Sequence, residues 1–288
     1  MTAKTKLKTV ALSKSYGSVL ALDRAELEVQ EGEFVTLLGP SGSGKTTLLM
    51  MVAGLVAPSA GDVWIDGKLS TYLPPHLRDI GMVFQNYALF PHLTVEENIA
   101  FPLRMRRAPE ATVVKEVARI LDLVQLPAVA RRLPRELSGG QQQRIALARC
   151  LVYRPSIVLM DEPLGALDKK LRDQMQLEVK ALQRQLGITV VYVTHDQEEA
   201  MTMSDRICLM NHARIEQIDT PEGLYFRPRS VFAADFLGDS NIFKGRVTGG
   251  RVEGPGGLAV KGAATGAAAG PVTAIIRPES IRVLEAGE

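Results

Sequence analysis

Cysteine, net charge and long apolar runs are all scarce in this sequence, and each scarcity closes off a class of protein. Two cysteines occur in 288 residues, Cys150 and Cys208, far apart and with no histidine beside them. That excludes a disulfide framework and a Cys/His zinc site, and both thiols are expected to be buried as small apolar groups in a reducing compartment. Lys and Arg number 34 against 32 Asp and Glu, a formal charge of +2, which leaves no electrostatic footprint of a nucleic-acid partner. The apolar runs SIVLM and ITVVYV have strand length, well short of the ~18 residues of a membrane span. MTAKTKLKTVALSK at the N-terminus carries charge but no apolar core of signal-peptide length. No internal repeat is visible. The expectation is a soluble cytoplasmic chain whose membrane role, if it has one, runs through a partner.

What is present is ordinary globular composition, 46% apolar and 23% charged, in a length that suits one large domain or a main domain with a smaller companion. LKTVALS, ALDRAELEV and EFVTLLG read as strands, and GKTTLLMMVAGL as a helix stopped by Gly54. DVWIDG and IGMVFQ follow as strands. From about 91 to 153 the pattern turns helical; ATVVKEVARILDLVQL is read with Val114, Val117, Ile120, Leu121 and Val124 on its apolar face. SIVLMD, a helix from Leu167 to Leu186, and ITVVYVTH then restore strand–helix alternation. The fold expected is α/β, a buried parallel sheet wound with helices and interrupted by a helical insertion. Beyond about residue 236 the chain becomes rich in Gly and Ala. GGRVEGPGGLAVKGAATGAAAGP is expected to be a flexible loop between strands, and VTAIIRPESIRVLEAGE to form two short strands around Pro278. The domains expected are 1–235 and a small β appendage, 236–288. Arg104, Arg106 and Arg107 are read as a solvated face of the insertion.

GPSGSGKTT follows a strand and opens a helix. Gly39, Gly44, Lys45 and Thr46 fit the spacing of a phosphate-binding loop. Glycine lets successive N–H groups turn toward phosphate oxygens, and the helix N-terminus adds a positive dipole end. The site would comprise Gly39, Pro40, Ser41, Gly42, Ser43, Gly44, Lys45, Thr46 and Thr47, with Lys45 on the β- and γ-phosphates and Thr46 on Mg2+. SIVLMDEP brings Asp161 out at the C-terminal edge of a buried strand, where α/β sheets place ligands. Asp161 suits a carboxylate acting on Mg2+ through water, and Glu162 a base that polarises the attacking water. Kinases, GTPases and many ATPases all remain open on these residues alone.

LSGGQQQR, between the two phosphate motifs, narrows that field. It is similar to the signature of the ATP-binding cassette (ABC) ATPases, and the resemblance covers about residues 6 to 230. It implies a P-loop NTPase (RecA-like) core with an inserted helical subdomain, and MgATP held across a homodimer. Ser138, Gly139, Gly140 and Gln141 of one subunit would then cover the P-loop ATP of the other. By the same resemblance Tyr16 matches the aromatic that stacks on adenine, and Gln85 the glutamine that senses Mg2+ and the water while touching the membrane partner. Asp168 matches the loop along the dimer seam, and His195 the γ-phosphate switch. Gly165 stands where the family more often has serine. FLGDSNIFKGRV and IIRPESIRVL resemble parts of a small OB-like regulatory domain, here shortened, found on importers of the maltose, polyamine, iron and sulfate groups. The segments LLGPSGSGKTTLLMMVAGL and PPHLRDIGMVFQNYALFPHLTVEENIAFPLRMR look most like the polyamine (spermidine/putrescine) members. The resemblance thus implies an ATPase subunit peripheral to the cytoplasmic face of the inner membrane, driving two transmembrane permease subunits fed by an extracytoplasmic substrate-binding protein. Importers of iron(III), sulfate, sugar or glycine betaine, and a soluble non-transport ABC ATPase, are the alternatives.

Overall fold

The computed structural model describes residues 4–248, 251–254, 256, 258–261 and 270–281. They fall into two compact units that part after Pro221.

The first unit opens with a hairpin, β1 (Thr5–Tyr16) and β2 (Val19–Gln30), followed by β3 (Phe34–Leu38) and α1 (Lys45–Ala53). β4 (Ala60–Ile65) and β5 (Lys68–Leu69) complete an antiparallel sheet of order β2-β1-β4-β5. β6 (Ile80–Val83) leads into the insertion, formed by α2 (Val95–Met105), α3 (Glu110–Leu123) and α4 (Gly139–Leu151). β7 (Ile157–Asp161), α5 (Lys169–Leu186), β8 (Thr189–Thr194), α6 (Gln197–Met203), β9 (Arg206–Asn211) and β10 (Arg214–Asp219) return the chain to the core. The second sheet has the order β10-β9-β3-β8-β7-β6, parallel except for the β10 edge.

The apolar runs of the sequence are the inner strands of that parallel sheet, covered on both faces. Because alternate side chains point to opposite faces, Val158, Met160, Val190 and Tyr192 join the core beneath the inserted helices. Ile157, Leu159, Val191 and Val193 join the core against α1 and the antiparallel sheet. Only Asp161 at the end of β7 escapes full burial. Cys150 and Cys208 are buried free thiols, and burial pushes both up to about 12. No helix among the described residues is long and apolar enough to cross a membrane.

One detail of the insertion corrects the sequence reading. Val113, not Val114, faces the core with Val117, Ile120, Leu121 and Val124, while Val114 is 63% exposed. The pair of adjacent valines allowed either phase. Only Val113 keeps the i, i+4, i+7, i+8 spacing on the buried face.

Arg78 fixes the far end of α1. It is 4% exposed and donates to Met51 O and Val52 O at 2.8 and 2.9 Å, to Leu73 O at 2.8 Å and to Thr71 O at 2.9 Å. A cation at a helix C-terminus satisfies carbonyls that the helix leaves unpaired and meets the negative end of its dipole. All four acceptors are carbonyls. Replacing Arg78 by methionine should therefore strand them and lower stability by about 3 kcal/mol or more. A lower denaturant midpoint with an unchanged slope checks this.

The second unit starts within α7 (Pro221–Phe226), whose first residue closes the first unit, and contains α8 (Val231–Phe236), β11 (Asn241–Thr248), β12 (Arg251–Glu253), β13 (Ala259–Lys261) and β14 (Gly270–Ile276). Its strands form one antiparallel sheet of order β13-β12-β11-β14. Two of them, β12 and β13, lie in the Gly/Ala stretch expected to be loop. Alternating Arg251, Val252 and Glu253 suffice to pair with β11. Residues 249–250, 255, 257 and 262–269 of that stretch lie outside the described residues, as does 282–288, where a second strand after Pro278 was expected. Pro278–Ser280 is a 3-10 turn. Arg277 explains why α7 and α8 group with this sheet although the sequence suggested a boundary near 236. Its guanidinium donates to Tyr225 O, Ala234 O and Ser240 Oγ at 3.0, 3.0 and 2.7 Å and lies over the Tyr225 ring, 4.0 Å from its centroid.

Candidate nucleotide site

The loop between β3 and α1 is shaped by glycine where nothing else fits. Gly39 has φ +154° and a Cβ there would lie 2.1 Å from Met210 O; Gly44 has φ +100° and its Cβ would lie 2.6 Å from Ala21 O. Beneath the loop, the Lys45 ammonium donates to Gly39 O at 2.8 Å and Pro40 O at 3.0 Å. Burial lowers the Lys45 pKa, against the opposing pull of Glu162 and Asp161. No side chain caps α1 and its first turn holds no acid, so its N-terminal N–H groups are left for an external anion. Ser43 Oγ is buried without a partner. A recess of about 310 Å3 opens beside the loop, walled by Val19, Leu20 and Ala21 and floored by Gly44, Lys45 and Thr47. Tyr16 pairs with Val19 across the hairpin, 52% exposed, with the Lys14 ammonium 4.9 Å from its ring centroid.

Carboxylates meet this loop from β7. Thr46 Oγ1 donates to Asp161 Oδ1 at 3.1 Å. Burial lifts the Asp161 pKa; the Thr46 hydrogen bond opposes that, and the neighbouring Glu162 adds to it. A hydroxyl and a carboxylate, both hard oxygen donors, form a set suited to Mg2+. Glu162 follows with φ +44°, its N–H donating to Val193 O at 3.0 Å. That left-handed backbone turns its side chain toward two others. Gln85 Nε2 lies 3.4 Å and His195 Nδ1 3.2 Å from the same oxygen, Glu162 Oε2. Gly165 donates its N–H to Glu162 O at 3.2 Å.

Ser138, Gly139, Gly140 and Gln141 form a separate group. Ser138 Oγ accepts from Gln141 N at 3.4 Å and Ser138 N donates to Gln141 Oε1 at 3.0 Å, a reciprocal cap on α4. Gly140 packs against Leu171 on α5, and Asp168 caps α5 by accepting from Leu171 N at 3.0 Å. Among the described residues no hydrogen bond or ion pair joins this group to Lys45, Asp161 or Glu162. Among the described residues, one chain thus carries two glycine-bearing helix ends, of α1 and α4, with no hydrogen bond between them.

Sequence reasoning missed the residues that hold these loops. Arg149 of α4 donates to Tyr87 O and Ala88 O at 2.8 and 2.7 Å, pinning the segment after Gln85 where both residues have positive φ. Arg172 and Glu199 support the turn around His195. An arginine inside an amphipathic helix carries no local signal for such a role.

A glycine-walled phosphate loop, with carboxylates at the C-terminal edge of a parallel sheet beside it, defines a P-loop nucleotide-binding domain. Residues 22–165 match the model of the ABC transporter family. A spermidine/putrescine import ATP-binding protein PotA from Rubrobacter xylanophilus is 50% identical over 96% of this chain and 76% of its own length. A protein of the same name from Thermobifida fusca is 56% identical over 81% of this chain, which spans only 62% of that relative. Among solved structures, the dimeric post-hydrolysis state of an ATP-binding cassette with ADP and Pi bound is 36% identical. It covers 75% of this chain and 98% of its own, with a TM-score of 0.66. The chain belongs to the ABC transporter family and is an ATP-binding cassette of it.

Proposed function

We propose that this chain is the ATP-hydrolysing subunit of an import system for polyamines, spermidine and putrescine, working as a homodimer beneath two separate transmembrane permeases. The observation that carries the hydrolytic reading is the approach of Gln85 and His195 to one oxygen of Glu162 beside the phosphate loop. The polyamine reading rests on the names of the relatives at about half identity.

Each residue has a distinct task. The loop from Gly39 to Thr47 presents N–H groups and the Lys45 ammonium to the β- and γ-phosphates, holding negative charge in a pre-set frame. Tyr16 offers an exposed ring face to adenine. Mg2+, which Thr46 and Asp161 would hold with Gln85 beside them, supplies charge compensation at the phosphates. Glu162 Oε2 accepts a proton from water as its oxygen attacks the γ-phosphorus and the bond from that phosphorus to the bridging oxygen breaks, so that ADP and phosphate leave. His195 holds that carboxylate and the γ-phosphate in line, and Gln85 reports the state of the site to the permease. The partner's copy of the Ser138–Gln141 helix end closes over the phosphates, with the Asp168 loops along the seam. That division accounts for the separation of the two groups within one chain. The assembly sits at the cytoplasmic face of the membrane, supplied by an extracytoplasmic substrate-binding protein.

The test is reconstitution with its transmembrane permease partners. Spermidine or putrescine uptake into liposomes should require ATP on the side of this chain, and its ATPase should rise with the loaded receptor. Stimulation instead by iron(III), sulfate, a sugar or glycine betaine would keep the importer and replace the cargo. ATP turnover with no transport would favour a soluble ATPase.

A further inference from the structure

The turn that carries His195 is held by a buried polar network for which hydrolysis itself has no use. Glu199 on α6 is 3% exposed, an unusual place for a carboxylate. Its Oε2 accepts from Tyr192 Oη at 2.8 Å and Thr194 Oγ1 at 2.7 Å. Thr194 Oγ1 in turn accepts from Asp196 N at 3.0 Å, and Asp196 Oδ1 accepts from Glu199 N at 3.1 Å. Residues on both sides of His195 are therefore tied to Glu199, Thr194 through its carboxylate and Asp196 through its backbone N–H, while the imidazole stands 62% exposed beside Glu162. The turn is braced by these hydrogen bonds and its histidine is exposed.

Arg172 of α5 attaches that turn to a second loop. It donates through Nη1 to Asp196 Oδ2 at 3.3 Å and through Nη2 to Leu167 O at 3.0 Å. Its Nε is buried without a hydrogen-bond acceptor and lies 3.8 Å from Glu199 Oε1. One planar guanidinium thus touches both acids of the His195 turn and the backbone carbonyl that precedes Asp168. Its planar fork presents donors to these partners in a fixed geometry, where a lysine would offer a single point charge on a flexible stem. The exposed pair Lys169–Glu198, 3.8 Å apart, joins the same helices but is open to solvent and adds little.

We propose that Arg172 is a positioning residue that couples the loop ending at Asp168 to the placement of His195, with Glu199 as its buried anchor. This rests on the reading of His195 as the γ-phosphate switch and of Asp168 as part of the dimer seam. On that reading, a partner subunit that orders the Leu167–Asp168 loop also sets His195, through Arg172, Asp196 and Glu199. Hydrolysis is then favoured only in a closed pair of subunits. Arg172 meets Asp196, Glu199 and Leu167 O and none of the residues assigned to the phosphates, so it acts on turnover and not on nucleotide affinity.

The test uses the full chain with MgATP and two readouts. Arg172→Met should lower kcat about tenfold or more, with the ATP affinity of the free chain within about twofold of wild type. The chain has four histidines, His76, His92, His195 and His212, so their ring resonances can be assigned by single substitutions. The His195 ring signals should shift or broaden in Arg172→Met while the other three stay in place. Glu199→Gln, similar in size, should give the same pattern and serves if Arg172→Met unfolds. Unmoved His195 signals in either folded variant would overturn the coupling, as would an equal loss of affinity and turnover. A His195→Ala variant with wild-type turnover would overturn the switch reading instead, and the resonances would still report whether Arg172 holds the turn.

Discussion

Replacing Lys45 by alanine is expected to abolish ATP-dependent activity, with a fall of at least about a hundredfold in turnover. The reason is local. Lys45 is 6% exposed and its ammonium is held under the loop by Gly39 O and Pro40 O. Its removal takes away a point charge at the β- and γ-phosphates together with the strut that shapes the backbone around them. Arginine in its place should fare little better, because a planar fork does not fit the space of a compact ammonium. Nucleotide affinity should fall along with turnover, since the lysine meets the phosphates in ground and transition states alike. Titration with a fluorescent ATP analogue, alongside phosphate release from the assembled transporter, checks both. Near wild-type hydrolysis would count against the whole assignment of the phosphate loop.

The parts of the site that could be read from sequence are those in which chemistry and chain order coincide. The phosphate loop is contiguous, and each of its residue types follows from what a phosphate requires. The pair Asp161 and Glu162 was legible because an apolar strand covered on both faces ends in two acids. The signature helix was legible through its resemblance, and the structure adds the Ser138–Gln141 cap as the local reason the helix begins there. The supports were not legible. Arg172 and Glu199 are far apart in the chain, and Tyr192 looks like one more apolar member of ITVVYV until its hydroxyl is found on Glu199. Arg78 and Arg277 are likewise single arginines whose partners are mostly backbone carbonyls, and carbonyls leave no mark on a sequence. The phase of α3 was misread for a simpler reason: Val113 and Val114 are identical, so only packing could choose between them. In the Gly/Ala stretch, low apolar content suggested loop, but backbone pairing with β11 needs few large side chains.

Glu162→Gln should separate binding from hydrolysis and test the shared site. Glutamine keeps the size of the side chain, and its amide oxygen can take over the contacts from Gln85 Nε2 and His195 Nδ1, now at 3.4 and 3.2 Å from Glu162 Oε2. What it loses is basicity. Turnover should fall by about 10^2 to 10^4, the range that positioned acid–base groups contribute. Binding should survive, because Lys45, Thr46 and Asp161 are untouched. The φ of +44° at this position is unchanged by the substitution, since glutamic acid and glutamine share the same backbone demands. ATP that cannot be cleaved then remains between the loop of one chain and the Ser138–Gln141 helix end of its partner. Because the closed pair holds ATP from both sides, ATP binds the dimer more tightly than the free chain and shifts association by that difference; a hundredfold difference in affinity is about 2.7 kcal/mol, a hundredfold in the dimerisation constant at saturation. Sedimentation of the variant with and without MgATP reads this directly. Wild-type turnover would remove Glu162 from the chemistry. Lost turnover with no nucleotide-dependent dimer, in solution or as a closed state of the assembled transporter, would keep Glu162 as the base and place the ATP within one chain. The Ser138–Gln141 helix end would then need another role.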